Sequence, residues 1–160
     1  MNETRFLEIV ELAKQRLSAI STADGFNLPL GQAVYVDGLQ PVPLDDHNAP
    51  LPETVLIDPG EVSMNPGSGE IRSSTATLEA KFSREVSVIV IWPIDDKSQW
   101  LRISELIAQD VRKAMFADQF EWQQIGVAKL NQIGQESSWP EAASVVLAVK
   151  IDFQIDYVEQ

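Results

Sequence analysis

The final segment of the chain constrains the fold most strongly, because apolar residues recur at every second position from 145 to 157. Every odd-numbered residue in this range is apolar, whereas positions 150, 152, 154 and 156 are polar or charged. This alternation is typical of a β-strand with one buried face. At about 3.3 Å per residue the strand would be roughly 40 Å long, which is about twice the usual length. Because an uncovered apolar edge of that length favours association, we predict an oligomer. The side chains predicted at the contact between subunits are Ile151, Phe153, Ile155 and Tyr157.

Two other stretches have the periodicity of amphipathic helices, from about Thr4 to Ser21 and from Leu101 to about Ala117. Shorter apolar runs predict further strands at 33–36, 54–57, 75–82, 86–92 and 122–130. The strand at 86–92 is almost continuously apolar, so we expect it to be central and covered on both faces. These elements predict an α/β (α+β) fold, in which one domain spanning 1–160 packs a mixed sheet against two main helices.

Two long loops, at about 37–53 and 58–72, interrupt this pattern with several prolines and glycines. A third turn-rich stretch is predicted at 131–141. Long loops in a compact domain are usually functional or ordered by a partner. The residues of these loops that we select as candidates for contact with a partner are Asp45, Asp46, Glu61, Met64, Glu70 and Trp139.

The charge of the chain limits its partners. The net charge is −12, and no lysine or arginine occurs between Arg16 and Arg72. So acidic a protein repels phosphates, which argues against nucleic-acid binding. The acidic surface is either a solvated face or a wall that a polyanion slides past without binding. The chain has no cysteine and no apolar run long enough to span a membrane, and its charged first residues do not resemble a signal peptide. We therefore expect a protein made in the cytoplasm.

Catalytic motifs are weak in this sequence. Nucleophilic catalysis needs a base beside the nucleophile, and His47 is the one histidine of the chain. The run Asp45, Asp46 and His47 has suitable metal ligands, but no residues at a recognisable spacing complete the set. The glycine-rich run at 66–69 lacks the lysine and the following helix of a phosphate-binding loop. We predict no catalytic, cofactor-binding or metal site.

The order of elements resembles that of tail terminator and related tail-completion proteins of long-tailed bacteriophages. The resemblance covers nearly the whole chain and includes no invariant motif. The segments that carry it are an amphipathic opening helix, Ala23–Phe26, Val34–Gly38, Leu51–Ile57, Val86–Trp92, the helix Leu101–Phe116 and the closing strand to Tyr157.

This resemblance implies a structural protein of the virion that is assembled in the host cytoplasm. A homohexameric ring would cap the tail tube, end its polymerisation and join the tail to the head-side connector. Its partners would be the tail tube protein, the connector and possibly a sheath, and DNA would pass through the lumen without specific binding. The alternatives are a head–tail connector or neck subunit and, from another class, a small metal-dependent hydrolase that uses Asp45, Asp46 and His47.

Overall fold

The computed structural model describes residues 4–64, 80–138 and 146–159. Its helices are α1 (Arg5–Ser18), α2 (Trp100–Phe116) and the short α3 (Gln119–Gln124). Its strands are β1 (Val34–Val36), β2 (Thr54–Met64), β3 (Ala80–Pro93), β4 (Val127–Ser138) and β5 (Val146–Glu159). The predicted fold class is confirmed, because these strands form one mixed sheet and the helices pack against it.

The opening helix forms where its apolar stripe meets the sheet. Thr4 caps α1 by accepting the backbone N–H of Leu7 at 3.3 Å, which satisfies one of the free donors at a helix start. The stripe residues Ile9, Val10, Ala13 and Leu17 are buried. The helix ends at Ser18, three residues before the predicted end, and Gly25 closes a separate 3₁₀ turn with a left-handed φ of 88°.

The strand order in the sheet is β1-β2-β3-β5-β4. β1 runs parallel to β2, and all other neighbours are antiparallel. β3 is central as predicted, but its two faces differ. Val86, Val88 and Val90 are buried on one face, whereas Ile89 and Ile91 are half-buried on the other.

The pairing of β5 corrects the prediction that its side chains form a contact between subunits. β5 lies between β3 and β4 and pairs with both of them along most of its length. The alternation itself is confirmed, because the odd-numbered side chains of β5 from Leu147 to Tyr157 are buried in the core. The side chains thus assigned to the core instead of an interface are Ile151, Phe153, Ile155 and Tyr157. β3 and β4 of the same chain pair with the two edges of β5. The length of this apolar strand therefore no longer argues for an oligomer.

The two long helices, α1 and α2, cover the same face of the sheet. Phe153 at the centre of this face is fully buried and meets Phe116 of α2 edge to face, with the ring centroids 5.8 Å apart. In the part of the chain that the structure describes, the opposite face carries no helix. We call the two sides the covered face and the open face.

The prediction of a loop that begins at Asp58 is wrong for residues 58–64, since β2 continues to Met64. β2 bends there through a bulge between Pro59 and Val62. A side chain at Gly60 would collide with the carbonyl oxygen of Glu85, so the bulge needs glycine. The sequence suggests a loop here because proline and glycine end most strands, whereas an irregular strand tolerates both at a bulge.

The region between α2 and β5 differs most from prediction. Trp122 begins no strand but lies buried in α3, where its Nε1 donates to the carbonyl oxygen of Met115 at 2.8 Å. β4 then starts at Val127 and continues to Ser138 through the stretch predicted as a loop. Most residues of this strand from Asn131 onwards are polar, and Ile133 is exposed, so the strand lacks the alternation that identifies a half-buried strand.

Candidate assembly surfaces

A tight hairpin occupies the middle of the proline-rich segment between β1 and β2. Leu44 and Pro50 form an antiparallel bridge, and the N–H of Asp45 donates to the carbonyl oxygen of Ala49 at 2.8 Å. Asp45 Oδ1 accepts the N–H groups of His47 at 2.8 Å and of Ala49 at 3.0 Å. The bond from Ala49, and then that from His47, lowers the pKa of Asp45, because each stabilises the ionised carboxylate. Asp45, the first of the predicted site residues, therefore stabilises a turn through its side chain.

The geometry of the hairpin does not support a metal site at Asp45, Asp46 and His47. Asp45 Oδ1 is occupied by two backbone donors, and Asp46 and His47 are exposed beside it. Among the described residues, no three histidine, aspartate or glutamate side chains are grouped so that they could hold a metal ion.

His47 does not line either of two depressions on the surface. One, of about 220 Å³, lies between α3 and the start of β4 and includes Trp122 and Leu130 in its wall. The other, of about 560 Å³, lies between α1 and α3 and is mainly charged and polar; its wall includes Glu8, Glu11, Lys14 and Glu121. A mechanism in which histidine activates a nucleophile therefore has no site in either depression.

The structure separates the remaining predicted loop residues. In the backbone of β2, Glu61 lies within the bulge between Pro59 and Val62, and Met64 lies beyond it. Glu70 and Trp139 lie outside the described residues. The predicted loop residues are thus not gathered into one site with Asp45 by any described contact.

The hairpin presents apolar side chains together with its acidic ones. Leu44 is 50% exposed and Leu51, which follows the hairpin directly, is 40% exposed. We call residues 44–51 the leucine hairpin. Asp45 and Asp46 are exposed on it, and lysine and arginine are absent from the sequence between Arg16 and Arg72.

The open face of the sheet is polar over the middle of β3 and β5. Asp152 Oδ1 accepts the hydroxyl of Ser87 at 2.5 Å and lies 3.8 Å from Lys150 Nζ. Gln154 Nε2 donates to Ser83 Oγ at 2.8 Å. These side chains bond to one another across adjacent strands, so this part of the face is an ordered polar surface.

At the other edge, α2 runs beside β4 along a polar seam. The hydroxyls of Ser104 and Ser137 are 2.5 Å apart. Gln135 accepts a hydrogen bond from Arg112 at 3.1 Å and donates one to Glu105 at 3.2 Å. The first turns of α2 therefore lie next to the last residues of β4.

The sheet has two unlike edges. No described residue pairs with the outer edge of β4, which runs over Val127–Ser138. At the other side, β1 covers only Val55–Ile57 of β2, so the described part of the chain leaves the outer edge of β2 beyond Ile57 unpaired. Free edges of this kind are sites where another strand can add.

No helix in the described part of the chain is long and apolar enough to cross a membrane.

Comparison with known proteins gives distant structural likenesses only. No family model matches the chain, and no curated protein matches it. Among solved structures, the chain is similar to one from the virion of a native gene transfer agent particle, with 14% identity, a TM-score of 0.43 and 92% coverage of each chain. A likeness this distant fixes neither a family nor a function for the chain.

Proposed function

We propose that this chain is a structural subunit of a phage-type virion that forms a ring on the end of the tail tube. The ring ends polymerisation of the tube and presents a surface to the head-side connector, and it has no catalytic role. The observation that carries the proposal is the pair of unlike sheet edges that no described residue covers.

These edges suit repeated association in one direction. β4 runs opposite to β1 and β2, as the pairings across the sheet require. If the sheet of one subunit is followed by an identical sheet in the same orientation, β4 of the first lies antiparallel to β1 and β2 of the second. Such a contact joins two different surfaces, and contacts of that type close into rings when the rotation between subunits allows it.

Two properties of the chain support the tail as the place of this ring. The order of its elements follows that of tail terminator proteins, with an opening helix, a short strand, a proline-rich segment, a central strand, a second helix and a long closing strand. The net charge of −12 also suits a channel for DNA, because an acidic wall repels phosphate and lets the polymer slide.

The native mass of the purified protein at high concentration, measured together with negative-stain images, tests the proposal. Six copies of 17.8 kDa give about 107 kDa, and we expect rings of that mass. The rings should bind one end of preformed tail tubes and stop their growth. A protein that stays monomeric with and without tubes would overturn the proposal, and rings that bind only portal-side protein would identify a neck connector instead.

A further inference from the structure

A ring needs two complementary surfaces on each subunit, and one end of the sheet carries a pair that fits. β2 begins where β3 ends, since Thr54 pairs with Ile91. The leucine hairpin directly precedes β2, and α2 begins shortly after β3 ends at Pro93. The hairpin and the start of α2 therefore lie at the same end of the strands, the first on the β1 side and the second beside β4.

The start of α2 exposes a large apolar surface. Leu101 is 57% exposed and Trp100 is 39% exposed. Leu101 lies one turn before Glu105 on the stripe of α2 that contacts Gln135 of β4. Leu101 therefore lies on the same side of α2 as the contact with the edge strand β4, next to which an adjacent subunit would lie.

Charge favours contact between unlike edges. Residues 30–60 contain five carboxylates and no cation (Asp37, Asp45, Asp46, Glu53 and Asp58). The segment 95–102 is neutral, because Lys97 and Arg102 balance Asp95 and Asp96. Two acidic edges repel each other, whereas an acidic edge meets no such barrier at the neutral start of α2.

We infer that the leucine hairpin of one subunit docks against residues 100–102 of the next subunit, beside the end of β4. Leu44 and Leu51 then cover Leu101 and Trp100, and Asp46 lies near Arg102. The occupant is a second copy of this chain, because both patches are apolar, the acidic hairpin meets a neutral segment that includes Arg102, and the patches lie at the same level along the strands. This inference rests on the proposed ring and names the contact that closes it.

The hairpin is prepared for this role by its own hydrogen bonds. Asp45 fixes the turn through the N–H groups of His47 and Ala49, so little conformational freedom is lost when the hairpin docks. Tryptophan is also enriched among residues that dominate binding energy. We expect one charged substitution in either patch to raise the dissociation constant of the contact by a factor of about ten or more.

Two variants, Leu44→Asp and Leu101→Asp, test the contact separately and in mixture. Each should melt like the wild-type protein, because both side chains are exposed, and neither should form rings alone. In the mixture, the intact hairpin of the Leu101 variant fits the intact patch of the Leu44 variant. We expect a heterodimer of about 36 kDa, twice the mass of 17.8 kDa, that does not grow further. Phe120→Asp is the matched control, since Phe120 is 64% exposed on α3, and it should still form rings.

The outcomes separate this contact from the proposed ring. If both leucine variants still form the rings that the wild-type protein forms, the proposed contact is wrong and the proposed ring is supported. Dimers formed by either variant alone would also overturn it, because they indicate a two-fold contact between like edges. A wild-type protein that is monomeric under every condition would overturn the ring and the contact together.

Discussion

Phe153 and Gln154 are neighbours in β5, yet they lie in opposite environments. Phe153 is fully buried on the covered face, whereas Gln154 is half-buried on the open face and bonds to Ser83 at 2.8 Å. The two carboxylates Asp110 and Asp152 differ in the same way. Asp110 on α2 is buried and accepts the N–H groups of Asn27 and Leu28, whereas Asp152 bonds to a hydroxyl on the open face.

This comparison separates what stabilises the fold from what is available for partners. On the covered face, apolar area and satisfied polar groups lie away from water, where a lost contact is costly. On the open face and at the sheet edges, water can replace a lost partner. The stability of the protein should therefore depend on one face, while association uses the edges, and substitutions on the two sides should have effects of different size.

The largest effect is expected from Phe153→Asp, which removes a large buried ring and places a charge in the core. We expect a loss of at least about 4 kcal/mol in the free energy of unfolding, measured by chemical denaturation. Gln154→Asp is the matched control on the open face and should cost less than about 1 kcal/mol, mainly through its position opposite Glu85. Equal losses for the two variants would show that the faces are not distinguished as described.

An intermediate effect is expected from Asp110→Ala. The carboxylate of Asp110 holds the segment after α1 through Asn27 N and Leu28 N, each at 2.9 Å. Alanine leaves these donors without their partner, and we expect a loss of about 3 kcal/mol in thermal or chemical unfolding. Asp110→Asn keeps one acceptor oxygen and should lose less. Asp152→Ala on the open face should cost about 1 kcal/mol or less, and a larger loss there than at Asp110 would contradict the comparison.

The smallest effect is expected at Asp45, and it depends on pH. Its pKa in the folded protein is below the ordinary value of 3.8, so its bonds to the turn are intact above that value and are lost as the pH falls through the folded pKa. In NMR spectra, the amide signals of His47 and Ala49 should shift together with a midpoint below 3.8 while the core signals stay unchanged. Asp45→Asn should abolish this shift and Asp46→Asn should leave it. A midpoint at or above 3.8 would show that the carboxylate does not hold the turn.

The sequence predicts the fold best where one periodicity acts alone. The strict alternation of β5 and the helical stripe around Val111 in α2 each indicate one buried face, and both elements lie where predicted. The prediction of a loop is wrong for residues 131–138 of β4, because polar residues there interact with polar residues of α2 instead of an apolar core. The candidate site is found only in part. The acidic loop around Asp45 is prominent in the sequence, whereas Leu101 has the spacing of a core residue and its exposure cannot be read from that spacing.

The sequence by itself determined that this chain buries one face of a long strand under two amphipathic helices and that its surface is acidic, because side-chain period and charge are local properties. Only the tertiary structure decided which strands lie on either side of β5, and therefore which edges of the sheet are left unpaired by the described residues. Strand order depends on contacts between segments far apart in the chain, such as β3 with β5. The residue periodicity of a strand does not show which other strand it pairs with. For this reason the expected interface moved from the buried strand β5 to the edges of β4 and β2.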